Sequence, residues 1–277
     1  MAILDLQDTG GYLHFDRDQC VREGKLRAEQ YQSAHPFPHI VMDDFLDADV
    51  LRRVLAEFPS RDGRDYFDRA QERFKYQFNP NTIGSGLIRN LLAELNGEPF
   101  LAFLSEMTGI PDLISDPYYS GGGLHETLKG GHLSVHADFN VHSEMKVERR
   151  LNLLVYLNED WEESYGGHLE LWDKKMRKAA TSVLPVLSRA VVFSTTLQSF
   201  HGQPEPLTCP PDRSRRSIAT YYYTAFPTDA KKVPTRTTTF QTRPASTDKT
   251  DWRVRYAHFV DDWVPARLQR YARKPLR

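Results

Sequence analysis

The sequence predicts a mainly β protein with flanking helices, on three observations. Downstream of Asp116, apolar residues recur at every second position in a series of short runs, the period of strands with one buried face. Gly, Pro, Asn or charged clusters separate those runs and no helical stretch intervenes, which is the pattern of a β sandwich or barrel. Upstream, apolar residues recur at intervals of three and four, so the helices belong mostly to the N-terminal half.

The elements follow in order. Asp16 to Ala34 is polar with scattered apolar residues and suits an exposed helix. PFPHIVMDDFL, beginning at Pro36, holds a short apolar run fit for a strand. Asp47 then caps a helix in which Val50, Leu51, Val54, Leu55 and Phe58 share one face. RDYFDRAQERFKYQFNPNTIG, rich in aromatic and charged residues, reads as a loop with a task, its portion Tyr66 to Asn79 as a candidate lid. Leu87, Leu91, Leu92 and Leu95 mark one further helix and Pro99 to Thr108 another. The period-two runs are then GGGLHETL, GHLSVHAD, RRLNLLVYLN, GGHLELWD, SRAVVFST and RRSIATYYYTAF. WRVRYAHFVDDWVPARLQRYARK returns to helical spacing with a break at Pro265, and Trp252, Tyr256, Phe259 and Trp263 either pack on the sheet or build a dimer contact, with core packing the expected use. The expected organisation is an N-terminal helical and strand segment over residues 1–115, a β core over 116–226 and a C-terminal helical extension over 227–277, within one integrated domain.

Composition narrows function by exclusion. The 277 residues are 40% hydrophobic and 26% charged with a formal net charge of −1, so nothing draws the chain to nucleic acid or to a membrane surface. No apolar run approaches the roughly 20 residues that cross a bilayer. The N-terminus lacks a basic start followed by an apolar run, and Cys20 and Cys209 stand far apart without a C-x-x-C partner. The expectation is a cytoplasmic protein whose partner is a small-molecule or peptide substrate.

GGHLSVHADFN contains an H-x-D pair, His136 and Asp138. Chance supplies roughly one such pair in a chain with ten histidines. His14-Phe15-Asp16 is a second, set in a charged N-terminal segment with no expected strand around it. On an extended strand, by contrast, His132, Ser134, His136 and Asp138 project to one face, so two ligands can reach one ion. Iron(II) is suited by two imidazoles and one carboxylate on one octahedral face, with three positions left open. His201, which follows a buried strand over Val191 to Ser194 and a turn, is the best third ligand; His132 and His168 are its rivals. In RSRRSIATYYYT, Arg215, Ser217, Ala219 and Tyr221 share one strand face. An arginine inside a β core needs an anion, and its planar fork fits a carboxylate.

The order His136-x-Asp138, Gly166-Gly167-x-Leu169, His201 and Arg215-x-Ser217 resembles the iron(II)- and 2-oxoglutarate-dependent dioxygenases. More narrowly, RRLNLLVYLNEDWEESYGGHLELWD is similar to their prolyl 4-hydroxylase-like branch, and the similarity spans about residues 116 to 226. The resemblance implies a double-stranded β-helix, a jelly roll that holds Fe(II) at its open end. It implies His136, Asp138 and His201 as metal ligands and 2-oxoglutarate as cosubstrate, its distal carboxylate on Arg215 with help from Ser217 and Tyr156. Asn152, Leu154 and Leu169 would line the cosubstrate pocket, O2 would complete the set, and ascorbate is a candidate auxiliary reductant. Alignment with the Arg-x-Ser pattern selects Arg215 over Arg216.

Related halogenases have Gly or Ala where this chain has Asp138, so the resemblance implies hydroxylation of an unactivated C–H bond with release of succinate and CO2. The substrate is then either a prolyl or other residue of a protein or a small molecule, such as an amino acid, sugar or pathway intermediate. Asn140 and His142, on the loop after Asp138, are candidate substrate contacts. GQPEPLTCPPDRS, between His201 and Arg215, is longer than in the oxygen-sensing members and reads as a rigid loop. Two rival readings are a cupin-like metal-dependent enzyme and a jelly-roll binding module without catalysis. The second should have lost a ligand or the arginine, and none is missing.

Overall fold

The computed structural model describes residues 2–61, 65–226, 235–250, 252–265 and 268. The chain begins with a hairpin, β1 (Leu6–Thr9) and β2 (Tyr12–Phe15), followed by α1 (Arg17–Ser33), β3 (His39–Met42) and α2 (Ala48–Ala56). A second hairpin, β4 (Tyr66–Arg69) and β5 (Glu72–Phe78), precedes α3 (Gly86–Leu95) and α4 (Glu98–Thr108). Then come β6 (Ile114–Ser115), β7 (Gly123–Ala137), β8 (Glu148–Tyr156), β9 (Leu169–Trp172), β10 (Ala179–Val183), β11 (Ala190–Ser194), β12 (His201–Gln203), β13 (Ser214–Thr224), β14 (Thr239–Phe240) and α5 (Trp252–Trp263). None of the described helices is long and apolar enough to cross a membrane.

Helix starts are set by side chains that satisfy otherwise unpaired amides. Asp16 accepts from the Gln19 amide, Asp47 from the Asp49 amide and Ser85 from the Ile88 amide. The strands form a 12-stranded sheet with the path β10-β9-β12-β7-β13-β8-β11-β3, and β5 and β14 pair with β7 off that path. The pairings along the path are antiparallel. The architecture is a double-stranded β-helix with helices on one face.

The period of two decides what each face meets. On β8, Leu151, Leu153 and Val155 are fully buried in one core with Leu91 and Leu92 of α3 and Phe100 and Phe103 of α4. Each such side chain contributes about 1.5–3 kcal/mol by leaving water. Asn152, Leu154 and Tyr156 take the opposite face and look into the barrel. On β13 the same alternation sends Ile218 and Tyr222 to the helices and Arg215, Ser217 and Tyr221 to the barrel interior.

Several elements differ from expectation. Residues 66–78 form a hairpin rather than a loop, and β5 joins the edge of β7. His14 lies on β2, inside a hairpin turned by Gly10 and Gly11, both at positive φ, and its ring meets Thr9 Oγ1 at 2.8 Å. The two runs expected around Gly130 form one strand, β7, which changes partners along its length. Helix α1 is only partly exposed, burying Cys20, Gly24 and Tyr31. Trp252, Tyr256, Phe259 and Trp263 do not pack on the core: they are 40 to 76% exposed, because α3 and α4 already cover the helix side of the sheet. Most of the helix expected beyond Pro265 lies outside the described residues.

Candidate active site

The interior of the barrel holds a cavity of about 290 Å³. His136 reaches it from β7, Asp138 from just beyond the end of that strand, and His201 from the start of β12. Register places His201 opposite His136. The Nε2 atoms of His136 and His201 lie 3.5 and 3.4 Å from the Asp138 carboxylate, and one ligand atom from each residue falls within 4.8 Å of the others.

Both imidazoles are oriented by backbone. His136 Nδ1 donates to the Ser134 carbonyl at 2.9 Å and His201 Nδ1 to the Ser199 carbonyl at 3.0 Å. A carbonyl can only accept, so Nδ1 carries the proton in each ring and Nε2 offers its lone pair inward, the tautomer a metal needs. Burial, together with the His136 ring and Arg149, pushes His201 down to about 4 against the pull of Asp138, so it stays neutral at physiological pH. Burial alone would raise the Asp138 carboxyl, but Arg149, His201 and His136 hold it well below the usual carboxylate range. Two imidazoles and one carboxylate on one side of a cavity fit Fe(II) by ligand type and count.

Arg149 did not emerge from the sequence. It is 3% exposed, and its guanidinium lies 3.3 Å from Asp138 Oδ2 and 3.6 Å from the centroid of the Tyr221 ring. Asn152 links the two groups: its Nδ2 donates to Asp138 Oδ2 at 2.8 Å, and its Oδ1 accepts from Arg149 Nε and Nη2 at 3.0 and 2.6 Å. Strand parity counted from Asn152, Leu154 and Tyr156 would turn Arg150 inward. The pairing of β8 with β13 shifts between Tyr222 and Tyr223, and that irregularity brings Arg149 in instead.

Arg215 is 8% exposed at the other end of the cavity. Its Nε donates to the Gly167 carbonyl at 2.7 Å and its Nη2 to the Tyr156 hydroxyl at 3.3 Å. Gly167 has φ +78, and a Cβ there would fall 2.7 Å from Leu207 and 3.0 Å from Arg215, so this position has room only for glycine. Burial lowers the Arg215 pKa, and no carboxylate among the described residues pairs with it. A buried guanidinium in a cavity without an anion is a site for one. Ser217, Asn152, Leu154 and Leu169 line the same space. Arg216 points the other way and bonds Glu126 at 3.0 Å.

The other candidates go elsewhere. Asn140 Oδ1 accepts from the Arg236 amide at 2.7 Å and ties the two chain segments together. His142 is fully buried, its Nδ1 accepting from the amides of Glu144 and Met145 and its Nε2 lying 3.3 Å from Asp116. Neither residue is among those that line the cavity: Asn140 is tied to Arg236, and His142 to the loop amides of Glu144 and Met145 with its Nε2 beside Asp116. His132 bonds the Ala70 carbonyl and His168 bonds Glu163, so neither joins the triad. The GQPEPLTCPPDRS loop packs Leu207 and Cys209 against Trp161.

Residues 122–223 match the family model described as the 2OG-Fe(II) oxygenase superfamily. The mouse prolyl 3-hydroxylase OGFOD1 is 26% identical over 194 residues, 68% of this chain and 33% of that protein. The chain therefore spans about a third of the length of that relative. Among solved structures, a Pseudomonas putida prolyl-4-hydroxylase superposes with a TM-score of 0.51 at 19% identity, covering 74% of this chain and 100% of the other. A Trichoplax adhaerens prolyl hydroxylase in complex with a peptide fragment of hypoxia-inducible factor gives 0.53 at 16% identity, covering 74% and 91%. The fold shared with these structures and the His136, Asp138 and His201 cluster agree with that match, so residues 122–223 form a core similar to the 2OG-Fe(II) oxygenase superfamily, a class that uses Fe(II) and 2-oxoglutarate.

Proposed function

We propose that this protein hydroxylates an unactivated C–H bond, with 2-oxoglutarate oxidised to succinate and CO2. The substrate is a prolyl or other residue of a protein, or a small molecule such as an amino acid, sugar or pathway intermediate. The similarity to proteins named prolyl hydroxylases supports the first class. The observation that carries the proposal is the pairing, in one cavity, of the His136, Asp138 and His201 cluster with a buried Arg215 that has no carboxylate partner among the described residues.

In this reading His136, Asp138 and His201 hold Fe(II), and Arg215, Tyr156 and Ser217 hold the distal carboxylate of 2-oxoglutarate. When bound with O2, the metal and cosubstrate supply the oxygen atom inserted into the C–H bond. The chain supplies position. Asn152 and Arg149 both hold Asp138 Oδ2, which fixes the carboxylate rotamer beside the two imidazoles. Leu154, Leu169 and Phe193 give the cosubstrate an apolar wall that excludes water. A cytoplasmic setting belongs to the same proposal, supported by Cys20 and Cys209 both being free and buried.

The test is substrate-stimulated succinate formation after anaerobic loading with Fe(II). Wild type is expected to turn over, and His136→Ala and Asp138→Ala to fall to background. Normal turnover in either variant overturns the triad.

A further inference from the structure

The β4–β5 hairpin lies outside the matched oxygenase core, yet Phe67, Arg69, Glu72, Lys75 and Gln77 all line the active-site cavity. Strand β5 pairs with the edge of β7 opposite the one that β13 uses. The register sets Lys75 across from Thr127 and Thr127 across from Arg215; the next row sets Gln77, His125 and Ser217 side by side. All six residues line the cavity. Adjacent strands stand about 4.8 Å apart, so Lys75 and Arg215 are based about 10 Å from each other on one floor. Burial and the charges of Lys75 and Arg215 keep His125, between them, well below the usual imidazole range.

Lys75 is an unusual residue to find there. It is 9% exposed, and its ammonium meets Glu72 Oε1 at 2.8 Å. Desolvating such a pair opposes folding, and a buried pair is weak support for stability. The backbone that delivers it is also unfavourable: Phe74 has φ +51, and the pairing jumps from Arg73 opposite His132 to Lys75 opposite Thr127. Irregularities of this kind re-aim side chains beside active sites. Arg73 clamps this one, its guanidinium 4.5 Å from the centroid of the Phe74 ring.

The charges in the cavity then sort by partner. Asp138 answers Arg149 and Glu72 answers Lys75, while in the proposed function the distal carboxylate of 2-oxoglutarate would answer Arg215. Arg69, 5.5 Å from the Phe67 ring centroid, makes no ion pair among the described residues, so the hairpin keeps one cation in surplus. An ammonium has three N–H donors, and Glu72 takes one. We propose that the hairpin is the specificity-determining wall of the site and binds a carboxylate on the substrate, with Lys75 inside the cavity and Arg69 at its mouth. The carboxylate belongs either to an acidic side chain beside the target residue of a peptide or to a free small acid. This inference rests on the proposed function.

The test measures binding before turnover. Protein loaded anaerobically with Mn(II) and 2-oxoglutarate is titrated calorimetrically with four probes. Two are prolyl peptides that differ only in Asp or Asn after the proline; two are free proline and prolinamide. Wild type is expected to bind at least one acid about tenfold more tightly than its amide partner, and the pair that discriminates identifies the source of the carboxylate. Lys75→Met is expected to reduce that preference to less than twofold with the 2-oxoglutarate affinity unchanged, Lys75→Arg to keep it, and Arg69→Met to reduce it partly. The double variant Glu72→Leu with Lys75→Met removes both charges, so a lost fold in the single variant does not stop the test. Equal binding of acids and amides by wild type, or discrimination surviving in the double variant, overturns the inference. So does loss of 2-oxoglutarate binding in Lys75→Met, which would make Lys75 a cosubstrate residue. Failure of the proposed function looks different: wild type would bind no 2-oxoglutarate and form no succinate with Fe(II) and O2.

Discussion

Strand β13 carries two neighbouring arginines, and the two faces of the sheet treat them in opposite ways. Arg216 turns outward to Glu126, which is 1% exposed and also accepts two hydrogen bonds from Arg61, at 2.8 and 2.9 Å, and one from Ser214 at 2.5 Å. That cluster is complete within the chain. Arg215 turns inward, where a carbonyl and a hydroxyl hold it in place and no carboxylate among the described residues neutralises it. The difference separates these two arginines without reference to any motif: Arg216 is matched by its own protein and holds the fold, whereas Arg215, buried and unmatched among the described residues, is a site for an anion.

The largest expected effect breaks that comparison directly. Arg215→Met should weaken 2-oxoglutarate binding by at least about 30-fold, since losing one partner of a desolvated charge pair costs about 2–5 kcal/mol. Arg216→Met should change the same affinity by less than about twofold, because its side chain lies on the far face. Anaerobic titration of both variants with Mn(II) present checks this. The reverse result would exchange the roles of the two residues.

Glu126→Gln tests the outward cluster by stability instead. It should lower unfolding free energy by about 2 kcal/mol in urea, the scale of charge-assisted hydrogen bonds lost in a buried site. The 2-oxoglutarate affinity should not change. Burial by itself would raise the Glu126 carboxyl, but Arg61, Ser214 and Arg216 lower it below its ordinary 4.5. A depressed folded value means that the contribution is present above the unfolded value and disappears as pH falls through the folded one. Wild type should therefore lose stability below about pH 4.5, and Glu126→Gln should show a shallower acid profile. Parallel profiles would remove Glu126 from the account.

Much of this arrangement is legible in the sequence, and what is not fails for identifiable reasons. His136 and Arg215 sit on strands, and Asp138 follows directly on the strand of His136, where a period of two tells which residues share a face. Arg149 lies beside a β-irregularity, so counting by twos selects its neighbour Arg150, which bonds Thr224 instead. The β4–β5 hairpin escapes for a related reason. Its inward positions carry Arg69, Glu72, Lys75 and Gln77, so the contrast between a polar outside and an apolar inside is absent, and the segment reads as a loop. Local rules fail where the chain spends polar residues on a cavity. His14-Phe15-Asp16 shows the converse: its H-x-D pattern sits beside a strand as well, but His14 meets Thr9 and Asp16 caps α1.

The smallest effect sharpens the comparison by showing what a partly exposed pair contributes. Arg189 holds Asp43 through two hydrogen bonds of 2.5 and 3.0 Å, a geometry at least as close as that around Glu126, but the Asp43 side chain is 62% exposed. Water and salt screen such a pair, so Asp43→Asn should reduce stability by only about 0.5 kcal/mol. Raising the salt to about 1 M shortens the screening length to about 3 Å and should erase most of that difference. The Glu126→Gln deficit should persist at the same salt, because its carboxylate is out of reach of ions. Urea unfolding of both variants at low and high salt separates the cases. Equal salt sensitivity would mean that geometry, rather than burial, sets the strength of these pairs, and the argument that assigns a ligand to Arg215 from its burial would weaken with it.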